Sequence, residues 1–192
     1  MESTVAKDTA LLVMDVQQFT LKSIKDANYY IHGIARSIAA ARQAGIPIIY
    51  VVVGFRPGYP EVHPDNLAFS NIKKADLGLD HPDSYQIPSS IQPKQNDIVV
   101  TKKRFSAFAG SGLELILSGM QIRHLVLSGI STSGVVLSTL REAADKDFKL
   151  TVLVDGCYDH DETVHQVLME RVFPRQAQLL MVEDWVQVLQ MP

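Results

Sequence analysis

The chain has 192 residues, of which 46% are hydrophobic and 20% are charged, and a net charge of −3 at pH 7. This length suits one domain with a filled core. Without a long basic run or an apolar segment of membrane length, we expect neither nucleic acid nor a membrane as a partner. One cysteine excludes an internal disulfide, and the N-terminal MESTVAKD has no apolar signal segment, so we expect a reducing, cytoplasmic location.

Short apolar runs rich in β-branched residues alternate with helical patterns along the chain. The predicted strands are 11–14, 46–53, 97–102, 124–128, 149–154 and 178–182. The predicted helices are 22–44, 110–120, one that follows the GISTSG turn, 162–172 and a short one near the C-terminus. Gly45 follows the first helix at a position that suits a left-handed cap. Six strands that alternate with helices predict an α/β fold, a parallel sheet covered by helices on both faces.

One segment interrupts this alternation within what we expect to be a single domain, 1–192. Residues 54–96 contain six of the nine prolines and show no clear periodicity. Long irregular segments in compact domains are usually functional, such as lids or substrate loops. The alternative is a surface excursion that packs against a second subunit, and the sequence does not favour either one.

Two charged residues directly follow predicted strands. Asp15 ends the run LLVMD, and Lys102 ends the run DIVVTK. Because ligands of an open parallel sheet bind at the carboxyl ends of its strands, a site is expected where these two side chains lie. A carboxylate is costly to bury alone, so Lys102 is the natural counter-ion of Asp15. The alternatives are a helix N-cap for Asp15 and a solvated basic run for the lysine.

The turn GISTSGVV after the fourth predicted strand is suited to holding an anion. Backbone N–H groups at the start of a helix are unpaired and carry partial positive charge, and Gly134 leaves room for a ligand. A cysteine at position 135 would be an activated nucleophile there, but the residue is Val135. Ser131 and Ser133 are poor substitutes, because the motif positions no histidine to activate them.

Cys157 lies in the sequence CYDHDETVH, close to acidic residues and histidines. A free cysteine at the end of a strand is most often a small buried hydrophobic residue, so we do not assign catalysis to it. Asp159 and Glu162 have the spacing of a capping box before a helix. The histidines show no HxH or HxxxH spacing, so the sequence predicts neither a metal site nor another cofactor.

Four segments, in this order, resemble the isochorismatase-like hydrolases, also called the cysteine hydrolase superfamily. They are LLVMDVQQF, VVTKKRFSAF, GISTSGVVLSTLREAADKDF and LTVLVDGCYD, and the resemblance covers nearly the whole chain. It implies a Rossmann-like three-layer sandwich with a six-stranded parallel sheet, a small-molecule substrate and a homo-oligomer. It also implies a cis peptide bond near Ile130–Ser131. No metal is implied, because VVVGFRPG replaces the Asp-x-His that metal-binding members carry after the second strand.

In the amide-hydrolysing members of this family an Asp, a Lys and a Cys form the catalytic set. The resemblance assigns the first two roles to Asp15 and Lys102, whereas the cysteine position falls on Val135. It implies that the residues in contact with substrate or an oxyanion are Gln17, Phe19, Ser131, Gly134 and Val135.

Isochorismatases proper also lack the cysteine, and they hydrolyse a vinyl ether with the Asp as proton donor. We therefore predict a hydrolase that uses Asp15 and Lys102 without a covalent intermediate. Burial would raise the pKa of Asp15 and the ammonium would lower it, and the sequence leaves this balance open. The candidates for holding a dicarboxylate are Arg56 and Arg104.

The alternative hypothesis is a catalytically inactive relative that binds a small molecule or serves as an oligomeric scaffold. Val135 favours it, because a valine cannot attack a carbonyl. Phosphotransfer of the haloacid-dehalogenase type also begins with an Asp after the first strand. It requires a second acid two residues later, where this chain has Gln17.

Overall fold

The computed structural model describes residues 8–22, 24–75, 77, 79–80 and 86–190. The strands are β1 (Thr9–Met14), β2 (Ile48–Val53), β3 (Ile98–Lys102), β4 (His124–Ile130), β5 (Lys149–Tyr158) and β6 (Gln178–Leu180). The α-helices are α1 (Gln18–Leu21), α2 (Ala27–Gln43), α3 (Leu67–Ala75), α4 (Leu113–Gly119), α5 (Leu137–Asp145), α6 (Glu162–Val167) and α7 (Val182–Gln190). Among the described residues, no helix is both long and apolar enough to cross a membrane.

The six strands form one parallel sheet in the order β3-β2-β1-β4-β5-β6. Successive residues of a strand point to opposite faces, and every residue of β1 and β2 is buried. On one face, Leu12 packs in a cluster with residues of α4 and α5. On the other, Leu11 packs with residues of α2 and α7. The predicted three-layer α/β sandwich is therefore confirmed.

The ends of several elements differ from the sequence prediction. The first long helix begins at Ala27 rather than at residue 22, and the short α1 precedes it. It ends before Gly45, which has the expected positive φ of 70°. Strand β5 runs to Tyr158 rather than to residue 154, with a shift of register against β4. A bulge of this kind is local, so the apolar run alone does not reveal it.

The helix predicted over 162–172 is not continuous. α6 ends at Val167, and the chain continues as a π-helical turn, Leu168–Val172. The expected capping box of Asp159 and Glu162 is wrong. Asp161 caps this helix instead, and its carboxylate accepts the N–H of Val164 at 3.1 Å.

The segment 54–96 is more regular than its sequence indicates. It contains the nine-residue helix α3 and a small hydrophobic cluster of its own. In that cluster the rings of Phe55 and Phe69 meet edge to face, with centroids 6.1 Å apart, and Leu79 is buried beside them. The prolines lie outside α3, so they obscure the pattern of the segment without preventing the helix.

Candidate active site

The end of β1 is fixed by a set of hydrogen bonds to its neighbours. Asp15 has a φ of 55°, and its N–H donates to Val51 O at 2.8 Å. The Thr20 hydroxyl donates to Asp15 O at 2.7 Å. The Gln17 amide bridges to β2: its Oε1 accepts Val53 N–H at 2.9 Å, and its Nε2 donates to Val53 O at 3.3 Å. These contacts hold Asp15 in a left-handed conformation that non-glycine residues rarely adopt.

Asp15 and Lys102 form a buried ion pair. The distance from Lys102 Nζ to Asp15 Oδ2 is 2.8 Å, and the two residues are only 3% and 6% exposed, respectively. Lys102 Nζ also donates to the backbone oxygen of Arg104 at 2.9 Å. The other carboxylate oxygen, Asp15 Oδ1, is buried and has no hydrogen-bond partner among the described residues. One oxygen of the pair is therefore left for a ligand or for a proton.

Burial has the larger of the two opposing effects on the pKa of Asp15, a balance that the sequence left open. Loss of hydration raises the pKa of Asp15 above its ordinary value, and the charge and hydrogen bond of Lys102 lower it by less. A carboxyl group with a raised pKa holds its proton at a higher pH than an exposed one. A carboxyl in this state can chemically donate a proton as well as accept one.

The turn between β4 and α5 comes close to Asp15 because of a glycine. Gly129 has a φ of 149°, and a Cβ built on it would lie 2.2 Å from Met14 O at the end of β1. The peptide bond Ile130–Ser131 that follows is cis, as the resemblance implied. This close approach of two strand ends sets the start of the next helix beside the carboxylate.

Two backbone N–H groups at this helix start already have protein acceptors. Gly134 N–H donates to Ser131 O at 3.2 Å, and Ser133 N–H donates to a carboxylate oxygen of Asp159 at 2.7 Å. A Cβ at Gly134 would lie 2.7 Å from Ser131 Oγ, so a larger residue there would require the Ser131 hydroxyl to move. Residues Thr132–Val136 form a π-helical turn, in which Val135 is 2% exposed. No nucleophilic side chain is present at position 135.

A cavity of about 160 Å³ collects most of the residues proposed from the sequence. It is lined by Asp15, Phe19, Lys102, Ser131, Gly134 and Val135. Gln17 lies behind it, because its amide is used in the bridge to Val53. The lining residues that the sequence analysis missed are Thr20, Val53, Phe69, Ile72, Leu79, Phe105, Ile130 and His160. Three of these, Phe69, Ile72 and Leu79, come from the segment 54–96.

Neither arginine suggested as a dicarboxylate ligand lines this cavity. The Arg104 guanidinium lies over the Phe69 ring, 5.4 Å from its centroid, and donates to Glu61 O at 2.7 Å. Arg56 pairs with the Glu61 carboxylate at 2.7 Å. Both side chains therefore stabilise the segment 54–96. The aromatic residues of that segment are the feature of the sequence that could have indicated this role, because an arginine packs well over an aromatic ring.

Cys157 is 5% exposed, and burial raises the pKa of its thiol well above the ordinary value. A thiol in this state is a weak nucleophile, in agreement with the structural role expected of it. Among the residues that the structure describes, no group of three or more His, Cys, Asp or Glu side chains is arranged to hold a metal ion.

The sequence matches the Isochorismatase domain family over residues 9–184. The chain belongs to the isochorismatase family. One relative is the ureidoacrylate amidohydrolase RutB of Variovorax paradoxus, which is 32% identical to this chain; the match covers 80% of this chain and 70% of the relative. Another is the uncharacterized isochorismatase family protein YecD of Escherichia coli O157:H7, which is 30% identical over 96% and 97% of the two chains.

Solved structures show the same fold at lower sequence identity. An isochorismatase family protein from Burkholderia thailandensis superposes with a TM-score of 0.82 at 22% identity, covering 96% of this chain and 97% of its own. A cysteine hydrolase from Pseudomonas syringae pv. phaseolicola has a TM-score of 0.86 at 17% identity, covering 95% and 92%. The isochorismatase-family chain is thus a member of a hydrolase family with the α/β fold predicted from its sequence.

Proposed function

We propose that this protein is a hydrolase that acts on a small molecule by acid–base chemistry of Asp15 and Lys102, without a covalent cysteine intermediate. The observation that supports it is the buried pair itself, with Nζ and Oδ2 2.8 Å apart at the cavity and Asp15 Oδ1 unpartnered. Val135 stands where the amide-hydrolysing relatives would have their nucleophile. A reaction that needs only a proton donor and water is compatible with that residue.

The roles of the two charged residues follow from their geometry. Protonated Asp15 gives its proton from Oδ1 to a carbon or oxygen of the bound substrate, and the substrate becomes a cation that water can attack. For a vinyl ether, the proton goes to the terminal alkene carbon, water adds to the oxygen-bearing carbon, and the resulting hemiketal releases an alcohol. Lys102 stabilises the carboxylate left on Asp15. The proton released by the attacking water restores the acid, so the cycle balances.

The cavity wall favours a substrate with at most one negative charge. Lys102 is the one lysine or arginine among the described residues that line it, and the other lining side chains are largely apolar, among them Phe19, Phe69 and Phe105. Arg56 and Arg104 are engaged with Glu61 away from the cavity. A dicarboxylate would lose the hydration of two charges there and find a single ammonium, that of Lys102, to compensate them, which is unfavourable.

An inactive binding protein is the second candidate, and Val135 is the observation that favours it. The N–H groups of Ser133 and Gly134 also favour the binding protein, because both already donate to acceptors within the protein and are therefore not free to bind an oxyanion. The raised pKa of Asp15 in a cavity that is not filled by Val135 supports the enzyme instead. The homo-oligomer, the cytoplasmic location and the extent of the single domain, 1–192, stay predictions.

The test is product formation from a panel of vinyl ethers, isochorismate, ureidoacrylate and small amides. We expect turnover of a vinyl ether and a loss of about 10²- to 10⁴-fold in kcat in Asp15→Asn, which cannot donate the proton. Asp65→Asn, at an exposed carboxylate outside the cavity, is the matched control and should keep full activity. Equal rates in wild type and Asp15→Asn would refute the proposed role of Asp15. Ligand binding without turnover of any compound would favour the binding protein.

A further inference from the structure

A second and larger cavity lies at the same edge of the sheet, between the start of α2, the end of β5 and the start of α6. Its volume is about 410 Å³, compared with about 160 Å³ for the cavity around Asp15. Small-molecule sites commonly have volumes of about 300–1,000 Å³. Of the described residues, only His160 lines both cavities. The proposed function above makes no use of this second space.

Aromatic side chains form one corner of the second cavity. Tyr30 is 5% exposed, and its hydroxyl donates to Gly156 O at 3.1 Å, which fixes the orientation of the ring. The Tyr158 ring meets it edge to face, with centroids 6.3 Å apart and an interplanar angle of 64°. The His160 ring also meets the Tyr158 ring edge to face, with centroids 5.7 Å apart. A corner of this kind is held in place before any ligand binds.

The charge of the lining is strongly negative. Its carboxylates are Asp26, Asp155, Asp159 and Glu162, and Lys25 is its one lysine or arginine among the described residues. Partial burial opposes ionisation of Asp159, but hydrogen bonds from the Ser133 side chain and from the backbone N–H groups of Ser133 and Asp161 lower the pKa of this carboxyl below its ordinary value. Burial lowers the pKa of His165, so this histidine is neutral at pH 7 and does not offset the carboxylates.

We propose that this second cavity binds a small organic cation, an ammonium group on an apolar body of about the size of one ring. Tyr158, which is only partly buried, supplies an aromatic ring that attracts a cation, and the carboxylates supply opposite charge. The cavity is large enough for the apolar body of such a ligand, whereas a metal ion would not need a cavity of this volume. An anionic ligand of the same shape would be repelled by the same carboxylates. The site is separate from the Asp15–Lys102 pair, so the inference does not depend on the proposed reaction.

Three matched probes test the charge requirement on the full chain. Phenethylammonium, 2-phenylethanol and 3-phenylpropionate have the same ring and differ in charge, and each is titrated at pH 7 by NMR chemical-shift mapping. We expect saturable binding of the ammonium, with shifts at the end of β5 and the start of α6. We expect the alcohol to bind at least about tenfold more weakly and the carboxylate not to bind. Absent saturation by the ammonium, or equal binding of the alcohol, would overturn the proposal.

Variants then locate the bound cation. Tyr158→Leu should weaken binding of phenethylammonium about 2- to 30-fold, whereas Tyr158→Phe keeps the ring and should have little effect. Glu162→Gln should weaken it about two- to tenfold. Glu170→Gln removes one exposed charge that does not line the cavity, and it is the matched control. Asp15→Asn should leave this affinity unchanged. If Asp15→Asn weakened binding instead, the cation would occupy the first cavity, and the inference would be wrong.

Discussion

Replacement of Lys102 by methionine isolates the energetics of the buried pair. Methionine keeps the apolar length of the side chain, so the main loss is the ammonium that contacts Asp15 Oδ2 at 2.8 Å. Removing one partner of a buried ion pair typically costs about 3–5 kcal/mol, because the remaining charge is buried without compensation. The unfolding free energy of Lys102→Met should therefore fall by about this amount at pH 8.

The cost should depend on pH in a defined direction. Burial already raises the pKa of Asp15 above 3.8, and loss of the opposing Lys102 charge raises it further. Between the unfolded and folded pKa values, the folded state binds the proton and the unfolded state does not. Stability of the variant therefore falls as pH rises through this range, by up to about 1.4 kcal/mol per pH unit. Lys102→Met should be least destabilised near pH 4 to 5 and most destabilised at pH 8.

The assay is urea unfolding at several pH values, followed by the fluorescence of Trp185, the single tryptophan, which is 4% exposed. The double variant Asp15→Asn/Lys102→Met removes both charges and should recover most of the stability lost in Lys102→Met at pH 8. A destabilisation of Lys102→Met that is independent of pH, with additive effects in the double variant, would refute the coupling argued from the structure.

Three further predictions concern separate parts of the chain. Burial is the main cause that lowers the pKa of His124 from 6.5 to about 4, so between these values the unfolded state alone takes up the proton. Acidification from pH 7 to 4.5 should therefore reduce the free energy of unfolding by at most about 3 kcal/mol. In urea unfolding, His124→Gln should abolish this dependence on pH. In Val135→Cys, the introduced thiol should be alkylated by iodoacetamide faster than Cys157, as measured by intact mass, because it lies in the cavity with an ammonium. Gly129→Ala should destabilise the protein by more than about 3 kcal/mol in the same unfolding assay, since its Cβ would lie 2.2 Å from Met14 O; a loss below 1 kcal/mol would contradict the close approach.

The sheet and the pair at its edge were predictable because both follow from short-range patterns. Apolar runs of strand length, separated by helical periodicity, leave few arrangements other than a parallel sheet. Asp15 and Lys102 each directly follow such a run, and the carboxyl ends of parallel strands share one edge. The pairing therefore required no knowledge of the side-chain packing.

The wall of the cavity was not predictable in the same way. Phe69, Ile72 and Leu79 reach it from a proline-rich segment whose path depends on its own small hydrophobic cluster. Asp159 was expected to cap the next helix, but its carboxylate accepts the N–H of Ser133 across 26 residues. Contacts between distant parts of the chain leave no periodic signal, so a single sequence gives no basis for them.

Val135 and the buried pair favour the proposed proton-donor chemistry over a covalent mechanism. A covalent mechanism needs a nucleophile at the helix start and free N–H groups for the oxyanion, whereas here Ser133 N–H and Gly134 N–H are engaged by Asp159 and Ser131. A proton-donor mechanism needs a carboxyl with a raised pKa, one free oxygen and an apolar cavity, and Asp15 has all three. A valine at position 135 alone would fit an inactive relative equally well. A buried, partly unsatisfied carboxylate is costly in stability, and a protein with no use for the proton would gain stability by replacing it.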